Sequence, residues 1–504
     1  TSFSRPKPFR LNYRSYKDFD EVKFQKAIDT IPLSVCEIFD DTDDQYWAFT
    51  HMYSEVLNDH APMKSKVVKS SKVPYMTSNL MKEIYLRNRL KNIFYKRKCN
   101  HNWEAYRKQR NKVTNLRRCA IKDYFTSKCK KPNVSPKDFW NCVKPFFSNK
   151  FNQGSGNIIL KEGENIICEP VKVCNVLNDY FVTMADDIGI DQGSDQNDSH
   201  SSVSTIQRSV RDNNNDSQFD FVCVSDDYVR SKLKNIKCNK STGFDGIPPK
   251  TVKLCYVELS KPIAFIINSS FTSCTFPHDM KKAEVCPIFK KKCSMTKDNY
   301  RPINIVSVFS KVFENVIAEQ IDKYMQMYFN DLLGAYRKGH GCSQVLTYAV
   351  DTWKKALDRN NHVATLFMDL SRAFDSIPHE LLVTKLKAYG FSENACKFMS
   401  SFLNGRQQRV KLNNTLSSWA GTTKGIPQGS CLGPLLFNVF INDIFPHITC
   451  CDIFNYADDN SLSAADKRLD IAISYLIHDT KIAIEWFQSN FMKVNPEKFQ
   501  IMFM

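Results

Sequence analysis

The sequence predicts an α+β fold in which helices back an antiparallel sheet. Three observations carry this expectation. His362-Val-Ala-Thr-Leu-Phe-Met-Asp369 is a mostly apolar run ending on a carboxylate, the pattern of a buried strand with an acid at its tip. Ile453-Phe-Asn-Tyr-Ala-Asp458-Asp459-Asn460-Ser-Leu reads as a strand, a tight polar turn and a second strand. Around these runs helical and strand-like stretches alternate irregularly, without the even βα rhythm of a parallel sheet.

In chain order, residues 1–60 mix short apolar runs with acidic patches such as Asp40-Asp41-Thr42-Asp43-Asp44, and we assign them no element. From about Ser78 to Cys129 the pattern turns helical. Trp103, Tyr106, Val113, Leu116, Ala120 and Tyr124 recur mostly at three- and four-residue steps, with Lys and Arg on the remaining faces. Gly154 to Pro170 predicts a hairpin turning at Glu162-Gly163-Glu164. Residues from about 189 to 217 are rich in Ser, Asn, Asp and Gln, with too few apolar side chains to offset ordering entropy, and predict a flexible insert. Beyond it, Ser310-Lys-Val-Phe-Glu is expected to open a helix with Phe313, Val316, Ile317, Ile321 and Tyr324 on one face. A second helix is expected from about Pro434 to Asp443, apolar on most sides apart from Asn438 and Asn442. The domains expected are a basic helical extension over 1–188, the insert over 189–217 and a catalytic domain over 218–504.

Charge is distributed unevenly. Residues 64–150 hold 24 Lys/Arg against Glu83, Glu104, Asp123 and Asp138, a local balance of +20, so the rest of a chain with net charge +17 sums to −3. A block this basic points to a polyanion, nucleic acid or an acidic membrane surface, with a set of solvated helices as the plainer alternative. The 18 cysteines include no C-x-x-C spacing, Cys99 and His101 lack a second ligand pair for zinc, and Cys450-Cys451 reads as reduced core. No apolar run approaches the roughly 18–20 residues of a membrane-spanning helix, and no leader opens the chain. These features predict a reduced intracellular protein with no membrane partner. Thr1 in place of Met, and a strand-like end at Lys498-Phe-Gln-Ile-Met-Phe-Met504, suggest a piece of something longer.

Asp369 at a strand end and Asp458-Asp459 at a turn suit phosphoryl transfer, where positioning and charge neutralisation do most of the work. Divalent ions there need two or three acids on rigid neighbouring elements. Three carboxylates gathered without such ions would repel one another and raise their own pKa values. Alone, Asp458-Asp459 would be an ordinary turn.

Several motifs in order decide between these readings. Phe367-Met-Asp369-Leu-Ser-Arg-Ala-Phe374-Asp375, Gly425-Ile-Pro-Gln428-Gly429-Ser430 and Tyr456-Ala-Asp458-Asp459 resemble motifs A, B and C of reverse transcriptases, and more narrowly those of non-LTR (LINE-type, jockey/CR1-like) retrotransposons. Gly425 lies 56 residues after Asp369 and 33 before Asp458. Lys240-Ser-Thr-Gly-Phe-Asp-Gly-Ile-Pro248, Pro287-Ile-Phe-Lys290-Lys291, Asn299-Tyr-Arg301-Pro-Ile303, Gly334-Ala-Tyr-Arg-Lys-Gly339 and Trp486…Asn495-Pro-Glu-Lys498 also fit. The likeness runs from about Phe219 to the C-terminus, and less distinctly through the basic segment.

The resemblance implies right-hand polymerase fingers and palm, the palm sheet antiparallel and backed by helices, preceded by the basic extension. It implies two Mg²⁺ ions (Mn²⁺ as a substitute) held by Asp369 and Asp458, with Asp459 and the Leu370 carbonyl assisting. Asp375 is not a ligand on this mapping and is expected to cap a following helix. Phe374 matches a steric gate against the 2′-hydroxyl, with an ordinary core Phe as the alternative. Lys290 and Arg301 fall where fingers grip the incoming triphosphate, and alone would be surface charges. Gln428 and Gly429 fall beside the nascent pair. The implied partners are an RNA template, a DNA primer and dNTPs, in a cytoplasmic ribonucleoprotein or the nucleus. The resemblance further implies an endonuclease upstream and a thumb downstream, so the piece alone is expected to polymerise poorly. The other readings weighed are an RNA-dependent RNA polymerase, which Phe374 argues against, and a catalytically dead nucleic-acid-binding remnant, which the intact acids argue against. The sequence sets no oligomeric state.

Overall fold

The computed structural model describes residues 9–68, 75–129, 136, 138–140, 142, 158–186, 200–212, 217–290 and 292–504. The chain forms two compact units, one of residues 1–13 and 63–157 and one of residues 14–62 and 158–504. These divide the chain differently from the expected boundaries, because 14–62 and 158–186 pack with the large unit. Phe49, on helix Thr42–His60, meets Phe309 edge-on at 5.1 Å, and both are fully buried. An acidic patch that carried no period in sequence is the start of this helix, capped by Asp41.

In the small unit, strands β1 (Phe9–Arg14) and β2 (Met63–Val68) pair, and the basic helical pattern resolves into helices Ser78–Lys96 and Asn100–Cys129 packed on each other. Leu80 and Val113 are buried, and Glu83 clamps the pair by accepting from Gln109 at 2.5 Å and from Lys112 at 2.8 Å. Most of the remaining side chains are exposed, Trp103, Tyr85 and Tyr95 among them. Much of the basic stretch after residue 129 lies outside the described residues.

The large unit begins its sheets with the expected hairpin, β3 (Leu160–Glu162) and β4 (Asn165–Ile167), whose turn needs the positive φ of 58° that Gly163 supplies; Gly154 lies outside the described residues. Of the insert, 189–199 and 213–216 also lie outside them. Ser201–Asp212, expected to be flexible, is instead an amphipathic helix. Val203, Ile206 and Val210 recur at three- and four-residue steps, Ile206 is buried, and the other two pack on the core. Three apolar side chains suffice because tertiary packing, not composition, stabilises a short helix.

One sheet has the order β10 (Ala420–Thr422), β8 (Arg406–Leu412), β5 (Lys282–Phe289), β6 (Tyr300–Val306), with β9 (Thr415–Leu416) on β8. Its β5–β8 contact is parallel and the rest antiparallel. The other sheet is antiparallel throughout: β11 (Asp452–Tyr456), β12 (Asp459–Asp466), β7 (His362–Ser371), then β13 (Lys493–Val494) and β14 (Gln500–Phe503), both on β7. Helix Leu469–Ser489 packs on β12 and β7 through Ala472, Leu476, Ala483 and Phe487. The α+β expectation therefore holds.

Helix Val308–Met325 starts two residues before Ser310, on Ser307, whose hydroxyl accepts from the Ser310 amide at 3.1 Å. Ser310 is buried within the first turn and donates to the Met280 carbonyl at 3.0 Å. The helix expected over 434–443 spans Gly433–Ile441 and tightens into a 3-10 turn, Asn442–His447. Both asparagines are buried, as is nearly all of the helix: Asn438 donates to the Ala335 carbonyl at 2.7 Å and Asn442 to the Tyr328 carbonyl at 2.9 Å.

At the centre lies a buried ion pair. The Lys385 ammonium is 2.6 Å from Asp443 and donates to the Phe440 carbonyl at 2.8 Å, while the Trp486 indole donates to the other Asp443 oxygen at 3.0 Å. Burial lowers the Lys385 pKa and Asp443 opposes that shift. Removing the ammonium leaves the carboxylate buried without its counter-charge, so Lys385→Met should destabilise the fold by about 3–5 kcal/mol, read as a lower urea midpoint. Lys385→Met with Asp443→Leu should recover most of that loss.

Candidate active site

The site grows out of the pairing of β12 with β7. Antiparallel register sets Asp459 directly opposite Asp369, and Asp458 lies in the two-residue turn between Tyr456 and Asp459. Directly opposed residues hold their Cβ atoms roughly 4.5–5.5 Å apart on one face. The three acids, two of them 89 and 90 residues from the first, therefore meet at one end of the sheet. Their fields overlap: the Asp459 carboxyl is raised by burial first, then by Asp458 and Asp369, with Lys498 opposing. Of the pair at the turn it is Asp459, not Asp458, that faces Asp369 in the register.

The turn is built with strain. Ala457 holds φ 59°, a left-handed conformation that costs an alanine on the order of 1–2 kcal/mol. Two buried asparagines stabilise it from behind. Asn455 donates to the Ala457 carbonyl at 2.9 Å and to Asn460 at 2.8 Å, and Asn460 donates to the Asp458 carbonyl at 3.3 Å.

Lys498 reaches the site from the far end of the chain and pairs with Asp369 Oδ2 at 2.5 Å. The Asp369 carbonyl accepts from the Asn495 amide at 2.9 Å, which fastens that segment to the strand end. Among the described residues, the oxygens of Asp369, Asp458 and Asp459 do not all come within 4.8 Å of one another. Two ions roughly 3.5–4 Å apart would spread such ligands over two centres, so the acids fit that group once Lys498 leaves Asp369. Leu370 pairs with Val494, its side chain buried.

The Gly425–Ser430 loop closes a second side. Gly429 holds φ 113°, and a Cβ there would stand 2.5 Å from the Asn304 carbonyl oxygen of β6. The Asn304 amide donates to the Gln428 carbonyl at 2.7 Å, so this loop docks backbone to backbone on the mixed sheet. Gly425, φ 81°, abuts the Asp375 backbone in the same way. The Gln428 side chain donates to Asp375 at 2.7 Å. Asp375 is thus no helix cap: the next helix, His379–Ala388, begins after Pro378 with no side-chain cap, and Asp375 instead fastens the strand-end turn to the loop.

Phe374 is half-buried between the two. It stacks on Phe437 at 4.5 Å and meets Tyr336 edge-on at 6.1 Å, and Asp458 helps raise the Tyr336 hydroxyl pKa after burial. Lys290 and Arg301 are both exposed, at the loop end of the β5–β6 hairpin, where Ile288 pairs with Arg301. Lys291 lies outside the described residues.

Sequence reasoning missed Glu314. Fully buried on helix Val308–Met325, it accepts from the Ser430 hydroxyl and the Cys431 amide, both at 2.8 Å, and so holds the loop's last turn. A charged residue in step with the apolar face was the available signal. The Asn455–Asn460 pair and the Asp375–Gln428 contact had no signal of that kind.

An acid-bearing hairpin on an antiparallel sheet, with a glycine loop closing over its end, is the layout of a nucleic-acid polymerase core. Residues 288–503 match the family model for reverse transcriptase (RNA-dependent DNA polymerase). That stretch is similar to mobile-element polymerases. The chain is 28% identical over 280 residues to the probable RNA-directed DNA polymerase from transposon BS of Drosophila melanogaster, covering 53% of this chain and 30% of that protein. To the RNA-directed DNA polymerase from mobile element jockey of the same organism it is 27% identical over 280 residues, 54% of this chain and 30% of the relative. To the probable RNA-directed DNA polymerase from transposon X-element it is 30% identical over 209 residues, 41% and 23%. The chain thus spans under a third of the length of these relatives.

Burial pushes the Asp375 carboxyl up to about 7, partly offset by Gln428 and Arg372. A carboxyl raised in the folded chain keeps its proton after the unfolded chain has released its own. Stability therefore falls as pH rises from about 4 to about 7. Asp375→Asn should remove that slope, seen as a variant that gains on wild type in denaturant titrations between about pH 5 and pH 7.5.

Proposed function

We propose that this chain is the RNA-directed DNA polymerase portion of a retrotransposon protein, adding deoxynucleotides to a primer 3′-hydroxyl on an RNA template. The observation that carries the reading is the register that sets Asp459 opposite Asp369 with Asp458 in the adjoining turn. In this reading the antiparallel sheet is the palm and the β5–β6 hairpin belongs to the fingers. Asp369, Asp458 and the Leu370 carbonyl would hold two divalent ions, Mg²⁺ or in its place Mn²⁺, with Asp459 assisting. Such ions, when bound, activate the 3′-hydroxyl and neutralise charge on the leaving pyrophosphate.

The chain's own groups do the positioning. Lys498, paired with Asp369, would have to leave that carboxylate for an ion to be held there, and its ammonium would then suit triphosphate oxygens. Lys290 and Arg301, at the loop end of their hairpin, suit phosphate oxygens. Gly429 lets the loop dock on Asn304 of β6, and Gln428, held in place by Asp375, would lie beside the nascent base pair. Phe374, wedged between Phe437 and Tyr336, has little freedom to yield to a 2′-hydroxyl. The basic helix pair of the small unit would bind nucleic-acid phosphates, a grip that weakens steeply with salt.

Primer extension on an RNA template, by a protein that carries this chain together with the thumb expected downstream, tests the acids. Asp369→Asn and Asp458→Asn should each lower extension by at least about 100-fold in Mg²⁺ and remain impaired in Mn²⁺; activity equal to wild type would remove these acids from the mechanism. Phe374→Val should cut the preference for dNTP over NTP, in kcat/KM, by about 10- to 100-fold. Unchanged exclusion of ribonucleotides would place the gate on another side chain.

A further inference from the structure

At the opposite end of β11 from the acid turn lies a cluster that the polymerase reading does not use. Cys450, in the loop before β11, faces His478 and Asp479 on helix Leu469–Ser489, and one ligand atom from each lies within 4.8 Å of the others. Cys450 and His478 are exposed and Asp479 is fully buried. Contrary to the sequence reading, Cys450 is therefore not core.

Asp479 Oδ2 is accounted for, since it accepts from the Cys450 amide at 2.8 Å and the Cys451 amide at 2.7 Å. Its other oxygen, Oδ1, is buried with no hydrogen-bond partner. A buried carboxylate oxygen without a partner costs about 1–3 kcal/mol or more, and a cation is one way to satisfy it. The remaining contacts of the cluster are weak: the Cys450 sulfur is 3.8 Å from the Thr449 hydroxyl, and the neighbouring Cys451 thiol donates to the Tyr475 carbonyl at 3.6 Å and lies close enough to Asp479 that the carboxylate, after burial, raises its pKa.

We propose that Cys450, His478 and Asp479 form a binding site for a zinc-class divalent ion that ties the start of β11 to helix Leu469–Ser489. A thiolate, an imidazole and a carboxylate suit Zn²⁺, while Mg²⁺ prefers oxygen alone. Ligands of a tetrahedral zinc lie roughly 3.5 Å apart, and the three atoms here already lie within 4.8 Å of one another, two of them on exposed side chains. One thiolate and one carboxylate balance the ion's two charges, so the occupied site is neutral against the buried side of the helix. The fourth position falls to water. Bound there, the ion braces β11 from behind, and β11 leads straight to the Asp458 turn. The site does not depend on the polymerase reading and is tested without it.

The intact chain, reduced with a phosphine, is titrated with Co²⁺ and read by its thiolate-to-cobalt absorption band. The same chain is loaded with Zn²⁺, desalted and assayed for metal. Expected are one equivalent retained and a thiolate band in wild type and in the control Cys99→Ser, with affinity weakened at least about tenfold in Cys450→Ser and in His478→Ala. Ions on the catalytic carboxylates give no thiolate band, so the two sites are read apart. No band in wild type, or a band of equal strength in His478→Ala, overturns the proposal. Both substituted side chains are exposed, and circular dichroism checks the fold. If Cys450→Ser alone unfolds, His478→Ala decides.

Discussion

Everything at this site hangs on the alignment of one strand against another. Strand β12 pairs with β7 over eight consecutive residues, and a slip of one would carry every side chain to the opposite face. Slippage is prevented by what lies along the pairing. Leu462 and Ala464 of β12 and Ala364, Leu366 and Met368 of β7 are buried, and Thr365 shares a 2.9 Å hydrogen bond with Ser463 directly across from it. The apolar contacts make the register stable; the hydroxyl pair makes it specific. Only with that alignment held can the same strands afford an end where three acids crowd together.

Crowded like charges need opposition, and the chain supplies it from far away. Lys498 sits on Asp369, 129 residues before it in sequence, where the late segment folds back along β7. Around the acids the scaffold is fixed by side chains bonded to backbone: the asparagine pair behind the Ala457 turn, Glu314 beneath the Ser430 turn, and glycines where main chains touch. The asparagines and Glu314 are buried polar groups whose partners cannot be exchanged cheaply for water. The result is a stiff frame around a strongly charged end.

The aromatic packing serves the same purpose on a larger scale. Phe271, Phe276, Phe313, Phe398 and Phe402 interlock at centroid spacings of 5.0–6.2 Å, uniting three helices behind the sheets. Phe374 continues that packing to the site through Phe437, so the ring proposed to meet the sugar is supported by core and does not swing free.

What the sequence determined by itself is what local chemistry can write. The apolar run ending in Asp369, the strand–turn–strand around Asp458, the helical stripe of Phe313, Val316, Ile317 and Ile321, and the Glu162–Glu164 turn were all legible, because side-chain period and turn residues act over a few neighbours. So was the order of the motifs, and with it the likeness to reverse transcriptases that residues 288–503 show. Only the tertiary structure decided which acid of the turn stands opposite Asp369, that Asp375 holds Gln428 and caps no helix, and that Glu314 and both loop asparagines are buried. It alone decided that Ser201–Asp212 is a helix, that residues 14–62 join the large unit, and that Cys450 meets His478. Those outcomes join residues tens to hundreds of positions apart. Their energies come from burial and partnered polar groups that exist only once the chain has packed, so no local pattern encodes them.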